Sequence, residues 1–375
     1  MKFSDIIGQQ GLKVRLKDAI SRGRLPHALL LTGPEGVGQL PLALALAQYV
    51  NCENPQDDDA CGNCASCKMI AKGAHPDLHF VLPVISSRAG GKPVLTDAYL
   101  DSFREHFLQN PYLSYEQWQE ALDSANKQLF ISVHEMRNLK RNLMLKAFGA
   151  KYKIAIVWHA EHIRTEGANA FLKLLEEPPD RTLLLMTCTD PSLLLPTITS
   201  RCQRLQMERI SNDEIKQYLK DDRAIPDARA AELAAISEGS LGNALNFLGE
   251  SNQAMQQMYA DWLRAIYTGR YDKIQTQLAP LLKGSKEFQK LFLQFAQKKI
   301  RDGLMFSLGV DELALSSEAE RDFQQNFSRL LNADKVGRIL VQLDESRKHL
   351  AGNAHAQMEL TSLSLRLNHI LREAV

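Results

Sequence analysis

Four of the six cysteines fall within sixteen residues: Cys52, Cys61, Cys64 and Cys67, in the pattern C-x8-C-x2-C-x2-C. Thiolates at this spacing close a tetrahedral site around one metal ion, because each C-x-x-C step offers two sulfurs from a single turn. Four protein ligands leave no position for a substrate water, so a zinc ion here is structural. An iron–sulfur centre uses the same four ligands and is the chief rival. The start, Met1-Lys2-Phe3-Ser4-Asp5, lacks the apolar core of an export signal, so the cytoplasm is the expected location. In that compartment crowded cysteines read as metal ligands before disulfides. Cys188 and Cys202 have no neighbouring cysteines, and His75 reads as a turn residue rather than a fifth ligand.

A second chemical pattern is Gly33-Pro34-Glu35-Gly36-Val37-Gly38-Gln39-Leu40. A phosphate-binding loop has the form G-x-x-x-x-G-K-[ST]: its amides close around phosphates, its lysine neutralises them and its hydroxyl ligates Mg²⁺. Gly33 and Gly38 hold the glycine positions, with Gly36 between them. Gln39 carries no charge where lysine is required, and Leu40 cannot bind a metal. ATP and Mg²⁺ turnover is therefore not expected, and nucleotide binding at Gly33, Gly36 and Gly38 is left open. The plain alternative is a tight strand-to-helix turn. The acidic pair that completes such a site should end a later strand. The matching strand, Lys153 to Val157, runs into Trp158-His159-Ala160-Glu161, and Glu161 is displaced by two residues from a general base's position.

These residues need a scaffold. His27–Thr32 and Lys153–Trp158 are short apolar runs suited to buried parallel strands, as are Leu78–Leu82 and Thr182–Thr187. Pro41–Val50 reads as a buried helix after the glycine loop. Ser132 is a candidate N-cap with Glu135 three residues on, and the helix 168–177 stops at Pro178-Pro179. Residues 84–129 form an insertion, read as a loop around 86–91 followed by one or two surface helices. Its aromatics (Phe103, Phe107, Tyr112, Tyr115, Trp118) suit either a docking surface or an anchor. From Ser211 the chain reads as helical. The expected class is α/β plus all-α: an α/β domain over 1–208, a small helical domain over 209–250 and a helical domain over 253–375.

Lys plus Arg number 45 against 44 Asp plus Glu, so bulk charge announces no nucleic-acid or membrane partner. Charges interrupt the chain too often for a membrane span. Lys140, Arg141, Lys146, Lys151 and Lys153 form a modest basic stretch without interleaved aromatics, a poor nucleic-acid site. Lys173 reads as part of a solvated helix face.

Several phrases together resemble bacterial DNA polymerase III clamp-loader subunits of the AAA+ class over most of residues 1–250. They are Pro26-His27-Ala28, the glycine loop, the cysteine module, His75-Pro76-Asp77, Asn169–Pro179, Thr189-Asp190-Pro191 and Ser200-Arg201-Cys202. The motor members (gamma and tau) keep the loop Lys-Thr and the acidic pair. The departures at Gln39, Leu40, Trp158 and His159 place the resemblance with the delta-prime branch, the non-hydrolysing stator. Gly239-Ser240-Leu241-Gly242 likewise has glycine where active members carry a γ-phosphate-sensing arginine.

That resemblance implies a lid-type small domain and a C-terminal collar domain. It implies motor (gamma/tau) and delta subunits as partners, and contact with the sliding clamp and primer–template DNA through the assembly. It also implies that Arg201 is an arginine finger reaching the neighbouring motor's ATP site. By itself an exposed arginine more often pairs with a nearby carboxylate. Two other functions stand beside the stator: a divergent active ATPase of the gamma/tau type, and a zinc-containing nucleic-acid-binding adaptor.

Overall fold

The computed structural model describes residues 1–56, 59–85, 94–124, 128–248, 252–309, 323, 325–352 and 354–373, in two compact units, Met1–Gly242 and Asn243–Val375. The first unit holds five strands, β1 (Ala28–Thr32), β2 (Leu78–Val81), β3 (Lys153–Val157), β4 (Thr182–Cys188) and β5 (Gln203–Gln206). They form one parallel sheet in the order β2-β3-β4-β1-β5. Every residue of β1, β3 and β4 is buried, which is why these strands are apolar throughout rather than alternating.

The two-residue period of a strand divides these side chains between two cores. Leu29, Leu31, Ile154, Ile156, Leu183 and Leu185 lie on one face, under α1 (Gln10–Ser21) and α2 (Gln39–Val50). Leu30, Ala155, Val157, Leu184 and Met186 lie on the other. The four-cysteine module adds a short helix, α3 (Ala65–Ala71). The register sets Thr32 beside both Cys188 and Gln206, and Val157 beside Met186. The loops leaving β1, β3 and β4 therefore emerge side by side at the carboxyl edge, where open parallel sheets bind ligands.

The insertion has two surface helices, α4 (Leu100–Gln109) and α5 (Tyr115–Ala121), each with one buried face. Phe103, Phe107 and Trp118 are buried, Phe103 meets Phe80, Trp118 and Trp158 at ring-centroid distances of 5.5, 5.3 and 5.4 Å, and Trp118 Nε1 donates to Pro83 O at 2.9 Å. The aromatics anchor the insertion because the first face of the sheet has apolar area left to cover beyond α2. The stretch read as a loop over 86–91 lies outside the described residues.

Ser132 caps α6 (Val133–Met144), its Oγ accepting from Glu135 N. The Glu135 carboxylate does not complete a capping box; it accepts from Thr96 N at 2.7 Å, at the entrance to the insertion. Burial pushes its pKa up to about 7. A carboxyl whose folded pKa lies above its unfolded value supports the fold below the unfolded pKa, and that support is lost as pH rises through about 7. Glu135→Gln keeps the acceptor and removes the charge. It is expected to be more stable than wild type by about 2–3 kcal/mol at pH 8 and equal to it below pH 5, measured by urea unfolding at both pH values.

On the opposite sheet face lie α6, α7 (Thr165–Glu176) and the short α8 (Pro196–Thr199). Two further helices, α9 (Asn212–Asp221) and α10 (Asp227–Ile236), pack on each other in the same unit. The second unit is helical throughout its described residues. Leu291, Phe292, Phe295 and Ile300 of helix Lys286–Ser307 are buried, as are Val336, Ile339, Leu343 and Leu350 of helix Ala333–Ala351. No helix among the described residues is long and apolar enough to cross a membrane.

Candidate functional site

The glycine loop joins β1 to α2 at the carboxyl edge of the sheet. Gly36 and Gly38 take positive φ values of 76° and 101°, which side chains adopt only with strain. Gln39 turns back into the loop, its Nε2 donating to the carbonyls of Gly33 and Pro34 at 2.8 Å each, and Leu40 is buried. The amide thus ties the loop to itself where a lysine would reach for phosphate.

Two other segments close over the loop. Gly242 N donates to Gly36 O at 3.1 Å and Ser240 Oγ to Glu35 O at 2.9 Å; a Cβ at Gly36 would collide with Ser240 and Gly242. From the insertion, the Tyr112 ring lies over Gly38, and Tyr115 N donates to Glu35 Oε1 at 2.7 Å. Pro111, Tyr112 and Leu113 line what remains, a cavity of about 20 Å³ shared with Trp158, His159 and Thr189. Pockets for small molecules run from about 300 to 1,000 Å³. Gly33, Gly36 and Gly38 are brought together as their spacing predicts, but beneath this chain's own residues.

At the end of β3, Trp158 turns into the aromatic core, and His159 sits at a positive φ of 52° with its N–H on Thr187 Oγ1 at 2.9 Å. Its Nδ1 lies 3.1 Å from Glu161 Oε1, an oxygen that also accepts from Thr189 N and Oγ1 at 3.0 and 2.7 Å. Burial opposes ionisation of Glu161, but the His159 and Thr189 donors outweigh it and hold the carboxyl down at about 2. Burial also works against charge on His159, and Glu161 and then Glu35 overcome it, raising that pKa. Burial, then the neighbouring His159, lowers His162 to about 4. Sequence reasoning considered Glu161 only as a displaced base and missed this group. Its signal was a charged H-x-E-H run placed directly after a buried strand.

The four sulfurs of Cys52, Cys61, Cys64 and Cys67 lie within 4.8 Å of one another, with Cys61 and Cys67 at 3.9 Å. Bonds of about 2.3 Å in a tetrahedron set sulfurs about 3.8 Å apart, so the donor set fits a single ion. The N–H groups of Cys61, Cys64 and Cys67 donate to the sulfurs of Cys52, Cys61 and Cys64 at 3.3–3.4 Å. The Cys64 and Asn63 amides hold the Cys61 thiol down at about 6, while burial pushes Cys52 and Cys67 up. The cluster can hold a metal ion and is consistent with a zinc module. None of the six cysteines is paired in a disulfide. His75 lies in a turn, its Nδ1 accepting from Asp77 N at 3.0 Å.

Arg201 follows α8 and is partly exposed. Its guanidinium grips Glu176 at 2.6–2.8 Å and donates to Thr197 O at 2.9 Å. Lys173 is exposed on α7. Within the basic stretch, Lys153 is buried with its ammonium on the Leu143 and Leu145 carbonyls, and Lys151 donates to Cys52 O at 2.9 Å. Two of those five cations therefore serve the fold.

A five-stranded parallel sheet with a glycine loop after β1, a helical C-terminal region and a cluster of four cysteines defines an AAA+-like protein. The family model described as "DNA polymerase III, delta subunit" matches residues 8–211, more than half of the chain, and the chain belongs to this family of DNA polymerase III clamp-loader subunits. It is 26% identical over 357 residues to DNA polymerase III subunit delta' of Bacillus subtilis, covering 94% of each. With subunit delta' of Yersinia pestis it shares 28% identity over 347 residues, 91% of this chain and 88% of that one. Subunit tau of Bacillus subtilis matches at 25% over 255 residues, 67% of this chain; the chain spans only 38% of that subunit's length.

Proposed function

We propose that this protein is a non-hydrolysing, delta-prime-type stator of a bacterial clamp loader, which contributes Arg201 to the ATP site of an adjacent motor subunit. The observation that carries the proposal is the closure of the crevice. Gln39, the Ser240–Gly242 backbone and Pro111-Tyr112-Leu113 fill the space over the glycine loop to about 20 Å³. The near end-to-end match to two delta' subunits supports the same reading, since tau is matched over only part of its length. Residues 1–208 would then be the AAA+-like domain, 209–250 the lid and 253–375 the collar domain. Gamma/tau and delta subunits would be its partners. The clamp and primer–template DNA would be met through the assembly.

Two rivals are less well supported. A divergent gamma/tau-type ATPase lacks both the charge at Gln39 and the space for nucleotide. A nucleic-acid-binding adaptor would draw on the basic stretch, of which Lys151 and Lys153 are engaged internally.

The test is calorimetric titration of the isolated chain with MgATP. No binding is expected. The double variant Gln39→Lys with Leu40→Thr, which repairs the loop motif, is also expected to show none, because the tyrosine plug and the Ser240–Gly242 backbone remain. MgATP hydrolysis by wild type, abolished by Gly38→Ala, would return the divergent ATPase to first place, and micromolar binding without hydrolysis would remove closure of the crevice as the ground for the proposal.

A further inference from the structure

We propose that His159, Glu161 and His162 form a second metal site, separate from the cysteine module, for a divalent cation of the zinc, cobalt or nickel class. Each of the three can present a ligand atom within 4.8 Å of the other two. An ion with bonds of about 2.0–2.1 Å sets tetrahedral ligands about 3.3 Å apart. His159 Nδ1 and the Glu161 carboxylate, 3.1 Å apart at Oε1 in a hydrogen bond that the ion would replace, already stand at about that separation. His162 has to close by no more than about 1.5 Å, given the 4.8 Å limit.

The surroundings are those of a supported ligand set. Thr189 occupies Glu161 Oε1 twice, whereas Glu161 Oε2 is buried with no N–H or O–H donor, which leaves the carboxylate only the weak Cys188 thiol besides. A buried carboxylate oxygen served only by a thiol is poorly compensated, and a bound cation compensates it better. The other nitrogen of His159, Nε2, faces the Glu35 carboxylate at 3.8 Å, beyond hydrogen-bond distance but on the side where metal-bound imidazoles generally have an outer partner. Glu35 is in turn held by Tyr115 N, and the Tyr115 ring stacks on His162 at 4.1 Å and 8°. The cavity of about 20 Å³ lined by His159 and Thr189, though not by Glu161 or His162, is large enough for one water.

Two imidazoles and one carboxylate suit a borderline transition ion. Magnesium and calcium, which prefer all-oxygen shells, are poor candidates. An ion here ties the ends of β3 and β4 to the insertion behind the glycine loop. Its presence does not depend on the stator assignment, since the ligands and their partners are the same under either ATPase reading.

The experiment uses the full-length protein, equilibrated with a small excess of Zn²⁺, freed of unbound ion by gel filtration and assayed for metal per chain. Parallel Co²⁺ samples report thiolate ligation by their charge-transfer absorption. Wild type is expected to retain two equivalents. Glu161→Gln and His162→Gln are each expected to retain one, with the cobalt–thiolate absorption of the cysteine site and the far-UV circular dichroism unchanged. His162→Gln alters a partly exposed ring and keeps the test open should Glu161→Gln fail to fold. One equivalent in wild type overturns the proposal, as does a second equivalent that survives both substitutions.

Discussion

Replacing Arg201 by alanine in a reconstituted clamp loader is expected to lower ATP turnover at the adjoining motor site by on the order of 10³-fold, while the isolated chain stays folded. The size follows from the chemistry. A guanidinium set against a γ-phosphate neutralises the charge that develops in transfer, and the neighbouring site would lose it entirely. The structural cost is small because the Glu176 pair is at the surface, with side chains 36% and 48% exposed, and such pairs contribute about 0–1 kcal/mol. The same figure lets Arg201 leave Glu176 for a phosphate in an assembly. Arg201→Lys should not restore turnover, because an ammonium lacks the planar fork. Glu176→Gln frees the arginine and should leave turnover intact. The readouts are DNA-stimulated ATPase and clamp-loading rate. Unchanged rates in Arg201→Ala would leave the Glu176 pair as the residue's whole role.

Removing the metal ion that the cysteine module can hold, or replacing Cys67 by serine, is expected to destabilise the first unit strongly. The module has almost no core of its own: its buried cluster is Cys52, Ala60 and Cys67. Without an ion, the buried sulfurs of Cys52 and Cys67 have little to hold them in place. The loss should reach the sheet. Asn51 exchanges hydrogen bonds with Tyr152 at 2.8–2.9 Å next to β3, Lys151 donates to Cys52 O, and Asp59 accepts from the N–H groups of Phe3 and Ser4. A loss of about 3 kcal/mol or more is expected, a fall of about 6–12 °C in Tm for a unit of this size. Calorimetry with and without chelator checks it, and lowering the pH should mimic chelation because only deprotonated cysteines bind the ion. An unaltered Tm after verified metal loss would make the module structurally dispensable.

Much of the fold could be read from local pattern. Leu29–Leu31, Ile154–Val157 and Leu183–Met186 are apolar without alternation, which only strands buried on both faces require. Ser132 announced the start of α6. Whether Phe103, Phe107 and Trp118 dock a partner or anchor the insertion was not legible, because the amphipathicity of their helices does not say what covers them. Phe80 and Trp158, distant in sequence, decide that. The same limit hid the plug: nothing around Tyr112 identifies Gly38 as its neighbour.

By itself the sequence determined the features whose partners are close along the chain. The four cysteines span sixteen residues, and the glycines of the loop answer to backbone conformation alone. The absence of charge at Gln39 and of a hydroxyl at Leu40 is likewise a property of single residues. Tertiary structure decided the features whose partners come from separate segments. Closure of the loop needs Gly36, Tyr112 and Gly242 together. Glu161 is fixed by Thr189, 28 residues away, and Arg201 by Glu176 at the end of α7. Spacing reports only contacts made within a turn or two of backbone; the parallel sheet, by bringing the ends of β1, β3 and β4 to one edge, created the rest.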